Sequence, residues 1–172
     1  MEETTKQKRE KKKTMYKKIK NPFTSMRGYN CFACCPTNEQ GLQMEFYEEG
    51  DYVCAKWKPK TQFQGYPNIL HGGIQSTLLD EIAAWVVYIK ARTSGVTSRM
   101  NVKYHKPVLM SNESLLLRAK ITDVRRQFAT IKAELISDNG EVASEAEIIY
   151  YLFAEEVAKK EYFYPEYSEF FD

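Results

Sequence analysis

The stretch "NILHGGIQSTLLDEIAAWVVYIKARTSG", residues 68–95, decides how the rest of the chain is read. At 100° per residue, Ile74, Leu78, Leu79, Ile82, Trp85, Val86 and Ile89 fall within about 140° of arc. Only Gln75 interrupts this apolar stripe, so the spacing predicts an amphipathic helix over residues 73–92. "RTSG", residues 92–95, ends it, with Gly95 as the expected terminator. Asp80 projects to the opposite face, among Ser76, Thr77, Ala83, Ala84 and Val87. These residues are small or apolar, unlike the Lys and Glu of a solvated face, so the second face is expected to be covered too. A buried carboxylate without a partner is costly. Either Asp80 has a chemical role, or it is partly exposed and bonded to Thr77 or to another chain's backbone.

His71 stands just before the first turn, and Gly72 and Gly73 open it. The first amides of a helix have no intrahelical partner, and glycine lets a ligand approach the backbone closely. Such a helix start suits an oxygen that gains negative charge; the bland alternative is a tight turn into the helix. Gly73 and Asp80 are separated by about 10 Å of helix rise. Reacting groups must come within about 3.5 Å of one another. One chain therefore cannot bring both ends to one carbon. Either the two do not cooperate, or a second copy of the helix runs antiparallel beside the first, giving two equivalent sites.

Outward from the helix the patterning changes to period 2. "LQMEFYEEG" (42–50) alternates Leu42, Met44 and Phe46 with polar residues, and Glu49-Gly50-Asp51 signals a hairpin into "YVCAKWK" (52–58). After the helix come "VTSRMNVKYHKP" (96–107), "SLLLRAKITDV" (114–124), "FATIKAELISD" (128–138) and "EVASEAEIIYYLF" (141–153), with Asp138-Asn139-Gly140 a turn between the last two. Two strands, one long helix and four strands make an α+β chain: an antiparallel sheet with one helix packed on a face.

At 172 residues the chain holds one domain. The longest apolar run, "IAAWVVYI" (82–89), is too short to span a bilayer. No apolar segment follows the charged N-terminus, so no export signal is read. Residues 1–20 carry nine Lys/Arg against three Glu, and residues 155–172 carry six acids against two Lys, which leaves the body neutral. A neutral body with a basic arm argues against a dedicated nucleic-acid reader. The expected divisions are a basic solvated arm (1–27), the folded domain (28–154) and an acidic aromatic tail (155–172). Cys31, Cys34, Cys35 and Cys54 are expected as free thiols in a reducing, cytoplasmic setting.

Three segments carry a resemblance. "HGGIQSTLLDE" (71–81) is similar to the helix opening of hotdog-fold acyl-CoA thioesterases of the phenylacetate-degradation type. "NCFACCPTNEQGL" (30–42) resembles a segment that many of them carry before Gly-Leu, with Cys35 where Gly is common. "GVTSRMNVKYHKPV" (95–108) resembles their strand after the helix. The resemblance, over roughly residues 28–153, implies a sheet wrapped around a long central helix. It also implies a working unit of a dimer or a dimer of dimers, and hydrolysis of an acyl-CoA. It implies that the amide of Gly72 or Gly73 polarises the thioester carbonyl. His71 and Asn68 would orient that region, and Asp80 of the other subunit would act as base or nucleophile. Thr97 would place a hydroxyl near the attacking water. No metal or prosthetic group is expected, CoA being part of the substrate.

Three rival readings remain. The first is a non-catalytic acyl-CoA binder on the same fold, which would not need Asp80. The second is a hydratase, which His105 on the next strand does not fit. The third is a zinc module on Cys31, Cys34 and Cys35, which falls short of four ligands unless Cys54 joins. Tyr66, Trp85, Tyr88 and Tyr104 are aromatic candidates for an acyl pocket or for the core.

Overall fold

The computed structural model describes residues 16–172; most of the predicted solvated charge run, residues 1–15, lies outside the described residues. The strands are β1 (Lys17–Ile19), β2 (Phe46–Glu49), β3 (Tyr52–Trp57), β4 (Gly95–Tyr104), β5 (Leu115–Arg125), β6 (Phe128–Ile136) and β7 (Val142–Leu152). They form one antiparallel sheet in the order β1-β2-β3-β5-β6-β7-β4. The long helix α1 (Gly72–Val86) packs across the middle of the sheet, and a short helix α2 (Glu155–Glu161) follows β7. This is the hotdog fold. No helix among the described residues is long and apolar enough to cross a membrane.

The predicted stripe is the one that packs. Leu78, Leu79, Ile82, Trp85, Val86 and Ile89 are buried against inward-facing Val53, Ala55, Leu115, Leu117, Ala119, Ile131, Ala133, Leu135 and Ile148. Small Ala residues in the sheet let the helix backbone come close, and the large side chains of α1 fill the space. The sheet's other face is solvated. Arg118 pairs with Glu134 at 2.7 Å, and Lys132 bridges Glu134 and Glu145 at 3.3 and 3.2 Å. His105 meets Glu145 there at 3.3 Å and takes no part in the α1 surroundings.

The structure departs from the sequence reading in several places, each for a local reason. The α-helix stops at Val86 and continues as a π-helical turn, Val87–Ala91, which Arg92 closes in the left-handed conformation at φ 53°. Gly95 is not the terminator. It opens β4, where a Cβ would lie 2.6 Å from the Tyr151 carbonyl oxygen, so its lack of a side chain serves strand contact. Leu42 and Met44 are buried as the alternation predicts, but their amides bond to Phe32 and Ala33 of the preceding loop, and β2 begins only at Phe46.

Parts of the arm and tail belong to the packed body. Residues 17–19 pair with β2, and Phe23 is buried. Phe170 in the tail is fully buried, its ring 6.1 Å from both Phe23 and Trp85 and 6.2 Å from Tyr88. The Lys20 amide donates to the Phe170 carbonyl at 2.8 Å, and the Tyr164 hydroxyl donates to the Tyr88 carbonyl at 2.9 Å. Arm and tail thus meet over the C-terminal half of α1. The alternation of aromatics with acids in "EYFYPEYSEFFD" (161–172) is the pattern of a segment laid on an apolar surface with its charges outward.

Candidate active site

The loop before α1 is pinned at both sides. Leu70 donates to Val108 at 2.9 Å, Gly65 to Ile69 at 2.8 Å and His71 to Phe63 at 3.0 Å. Asn68 turns the loop at φ 62°, a conformation that Asn tolerates better than most residues. Its amide donates to Gln64 Oε1 at 2.8 Å, and its carbonyl accepts from Met110 at 3.0 Å. Asn68 therefore shapes this region through its backbone. A cleft of about 490 Å³ opens here, lined by Gln64, Gly65, Tyr66, Ile69, Leu70, His71 and Gly72.

His71 is the N-cap of α1. Its Nδ1 accepts from the Gly73 amide at 2.9 Å, and its carbonyl accepts from Ile74 and Gln75. The Gly73 amide is thus occupied by the His71 side chain. The Gly72 amide has no partner among the described residues and borders the cleft. Tyr104 supports this corner: its hydroxyl donates to the Gly72 carbonyl at 3.0 Å and lies 2.5 Å from Ser76 Oγ.

Two turns along the same helix, Asp80 is held through one oxygen. Thr97 Oγ1 donates to Asp80 Oδ1 at 2.7 Å, and the Tyr150 hydroxyl donates to the same oxygen at 2.9 Å and to the Asp80 carbonyl at 3.0 Å. Oδ2 has no hydrogen-bond partner among the described residues. Thr97 sits at a bulge in the pairing of β4 with β7, where the register shifts before Arg99. A bulge aims a side chain that a regular strand would place elsewhere. Tyr150 is nearly enclosed. Burial, then the Asp80 charge, holds its phenol far above the ordinary value, so it donates at any physiological pH. Thr77 bonds instead to the Gly73 carbonyl at 2.9 Å.

The structure thus brings Asp80 and Thr97 together, and His71, Gly72 and Gly73 together, and holds the two groups apart on one helix. Within one chain Asp80 is half-buried and Thr97 exposed. Tyr150 was missed by the sequence reading. Its signal is an inward register on β7 shared with Ala146 and Ile148, since a buried tyrosine needs a partner for its hydroxyl. Of the aromatic candidates, Trp85 is core, Tyr88 joins the aromatic cluster under the tail, and Tyr66 and Tyr104 flank the helix start.

Among the described residues, one group of three metal-type donors occurs: Cys31, Cys34 and Glu81, with donor atoms within 4.8 Å of one another. It is one donor short of a structural zinc site. Cys35 turns away to Thr37 and the Tyr29 carbonyl, and Cys54 lies on β3.

Comparison with known proteins agrees with this geometry. The family model of the thioesterase superfamily matches residues 67–144, from the loop before α1 into β7. An uncharacterised protein of Schizosaccharomyces pombe is 34% identical over 83 residues, which is 48% of this chain and about half (47%) of that protein's length. A thioesterase-like protein of Streptococcus pneumoniae, solved with coenzyme A, superposes with a TM-score of 0.57 at 20% identity, covering 61% of this chain and 83% of that one. The PaaI protein of the E. coli phenylacetic acid degradation operon superposes with a TM-score of 0.60 at 13% identity, covering 66% and 82%. At these identities the superpositions speak to the fold. Sequence match and fold point the same way: the chain has the hotdog fold, and its residues 67–144 match the thioesterase superfamily model.

Proposed function

We propose that the protein hydrolyses acyl-CoA thioesters in sites shared between two copies of the chain. The observation that carries this reading is the Asp80 carboxylate. One oxygen is fixed by Thr97 and Tyr150 and the other is left without a partner, on a helix whose start offers a free amide beside a cleft. The two donors fix the carboxylate's orientation and leave Oδ2 accessible on the face that a second copy would cover. The ~10 Å of helix between the two groups calls for a second helix alongside. β4 supports this: it is an edge strand of ten residues, none of them buried within one chain. A long exposed edge is a ready template for pairing with another chain.

In this scheme the acyl carbonyl lies at the start of one helix, where the Gly72 amide donates to its oxygen. His71, bonded through Nδ1 to the Gly73 amide, holds the first turn in the orientation that aims the Gly72 amide. Asp80 of the second copy acts at the acyl carbon, either taking the proton of an attacking water or attacking directly. Negative charge then develops on the carbonyl oxygen beside the helix amides, and collapse expels CoA as the thiolate. Asn68 holds the loop that borders the cleft. The residues need no metal or prosthetic group for these steps. The coenzyme A bound to the Streptococcus pneumoniae protein supports CoA as the leaving thiol. Four free thiols support a reducing compartment, the cytoplasm.

The test is release of free thiol from a panel of aliphatic and aryl acyl-CoAs, for the wild type and for Asp80→Asn. The amide is nearly isosteric but neither accepts the proton nor attacks. Turnover should fall by ~2 to 4 decades in a variant that keeps its circular dichroism spectrum and melting transition. Acyl-CoA binding without thiol release by the wild type would favour a binding protein instead.

A further inference from the structure

Away from the α1 N-terminus, a second group of reactive side chains gathers where the loop 29–35 packs on α1. Cys31, Phe32, Ala33 and Cys34 form a turn closed by the Cys35 amide donating to the Cys31 carbonyl at 3.2 Å. The turn brings both sulfurs and a Glu81 carboxylate oxygen within 4.8 Å of one another. The two thiols are unequal. Cys31 is partly exposed, whereas Cys34 is 5% exposed. The Tyr29 hydroxyl lies 2.9 Å from Cys34 Sγ, and Asn21 Nδ2 donates to both the Tyr29 oxygen and the Cys34 carbonyl. Glu81 Oε1 accepts from Trp85 Nε1 at 3.0 Å and faces Cys31 Sγ at 4.0 Å. No Lys, Arg or His among the described residues pairs with it.

Thiols that serve only packing have no need of a carboxylate in their midst, and a half-buried carboxylate without a cation is costly. The arrangement has the three parts of a thiol–disulfide exchange centre: an accessible sulfur, a second sulfur in reach behind it, and a half-buried base. The titration of the groups agrees. The hydrogen bond from Cys34 lowers the Cys31 thiol to about 6, which favours its thiolate. The bond to Cys31, then burial, holds Cys34 far above the thiol range. Burial, then the Cys31 charge, raises Glu81 to about 7. The other titratable groups facing this centre are Tyr29, Tyr88 and Asp80.

We propose that Cys31 and Cys34 are a redox-active dithiol that exchanges with low-molecular-weight disulfides, Glu81 taking the proton of Cys34. The Cys31 thiolate attacks one sulfur of the small disulfide; that S–S bond breaks, a mixed disulfide forms on Cys31, and one thiolate leaves. Cys34 then passes its proton to the Glu81 carboxylate and attacks Cys31 Sγ. The Cys31–Cys34 bond forms and the second thiolate leaves. Two electrons pass from the protein to the small disulfide, and the proton on Glu81 returns to solvent.

The full chain, purified reduced and without chelator, is first assayed for metal. It is then equilibrated across ratios of reduced to oxidised glutathione, acid-quenched, alkylated with N-ethylmaleimide and mapped by mass spectrometry. Cys31 and Cys34 should become protected together as one internal disulfide, reversible by dithiothreitol, while Cys35 and Cys54 stay alkylatable. Cys34→Ser should instead accumulate the Cys31–glutathione mixed disulfide. Glu81→Gln should slow conversion of the mixed to the internal disulfide by at least about tenfold at pH 7 and erase the inflection in the pH profile of that rate. A merely structural Glu81 would leave that inflection in place. Cys31 and Cys34 remaining alkylatable at every ratio would overturn the proposal. So would pairing with Cys35 or Cys54, or a full equivalent of zinc lost in Cys31→Ser.

Discussion

Asp80 and its two donors form the most demanding arrangement in the chain, because each partner reaches it from a different strand. Thr97 comes from the bulge of β4 and Tyr150 from the inward face of β7. A hydrogen bond to a charged group contributes about 1.5–3 kcal/mol. Thr97→Val keeps the side-chain shape and removes the donor. It is expected to lower kcat by about tenfold or more with little change in KM, as initial-rate measurements on the best acyl-CoA of the panel would show. An unchanged kcat would mean that Thr97 orients nothing of consequence. The resemblance singled out Asp80 and Thr97 separately, and their hydrogen bond became legible only with β4 laid beside α1. Tyr150 was not, because its role depends on a strand register that only the assembled sheet defines. The same holds for Glu81: its place in sequence says "beside Asp80", while its chemistry comes from a loop fifty residues earlier that packs on α1.

At the scale of elements, α1 is read from its periodicity almost without loss, since the stripe that predicts the helix also fills the core. Its ends are harder. The π-helical turn buries Val87 and Ile89 and ends at the left-handed Arg92, and no local signal announces this. The tail was harder still, because aromatic residues alternating with acids suit either a strand or a segment laid on an apolar surface. Its docking through Phe170 predicts that Phe170→Ala costs about 3–5 kcal/mol, measured by urea denaturation. A loss under about 1 kcal/mol would mean the tail only rests on the body. α1 also carries a pH dependence. Glu81 keeps its proton up to about 7 in the folded chain, against an ordinary value of 4.5. Below about pH 4.5 both folded and unfolded chains hold that proton and Glu81 imposes no penalty. The penalty grows as pH rises and is complete above about 7. Glu81→Gln removes it, so the variant should gain stability relative to the wild type between pH 4.5 and 8. A difference that stays flat over that range would contradict a half-buried, proton-holding Glu81.

For the whole molecule, the decisive question is how two groups about 10 Å apart on one helix serve one carbonyl. A second copy answers it and also covers the edge of β4. The direct measurement is complementation between His71→Ala and Asp80→Ala, each weak alone, after size-exclusion chromatography has shown both to be dimeric. Co-expressed, they assort so that about half the dimers are mixed. In a mixed dimer one site collects both lesions and the other collects neither. About a quarter of wild-type thiol release from acyl-CoA should therefore return. Mixed dimers with no recovered activity would contradict a site built from two chains.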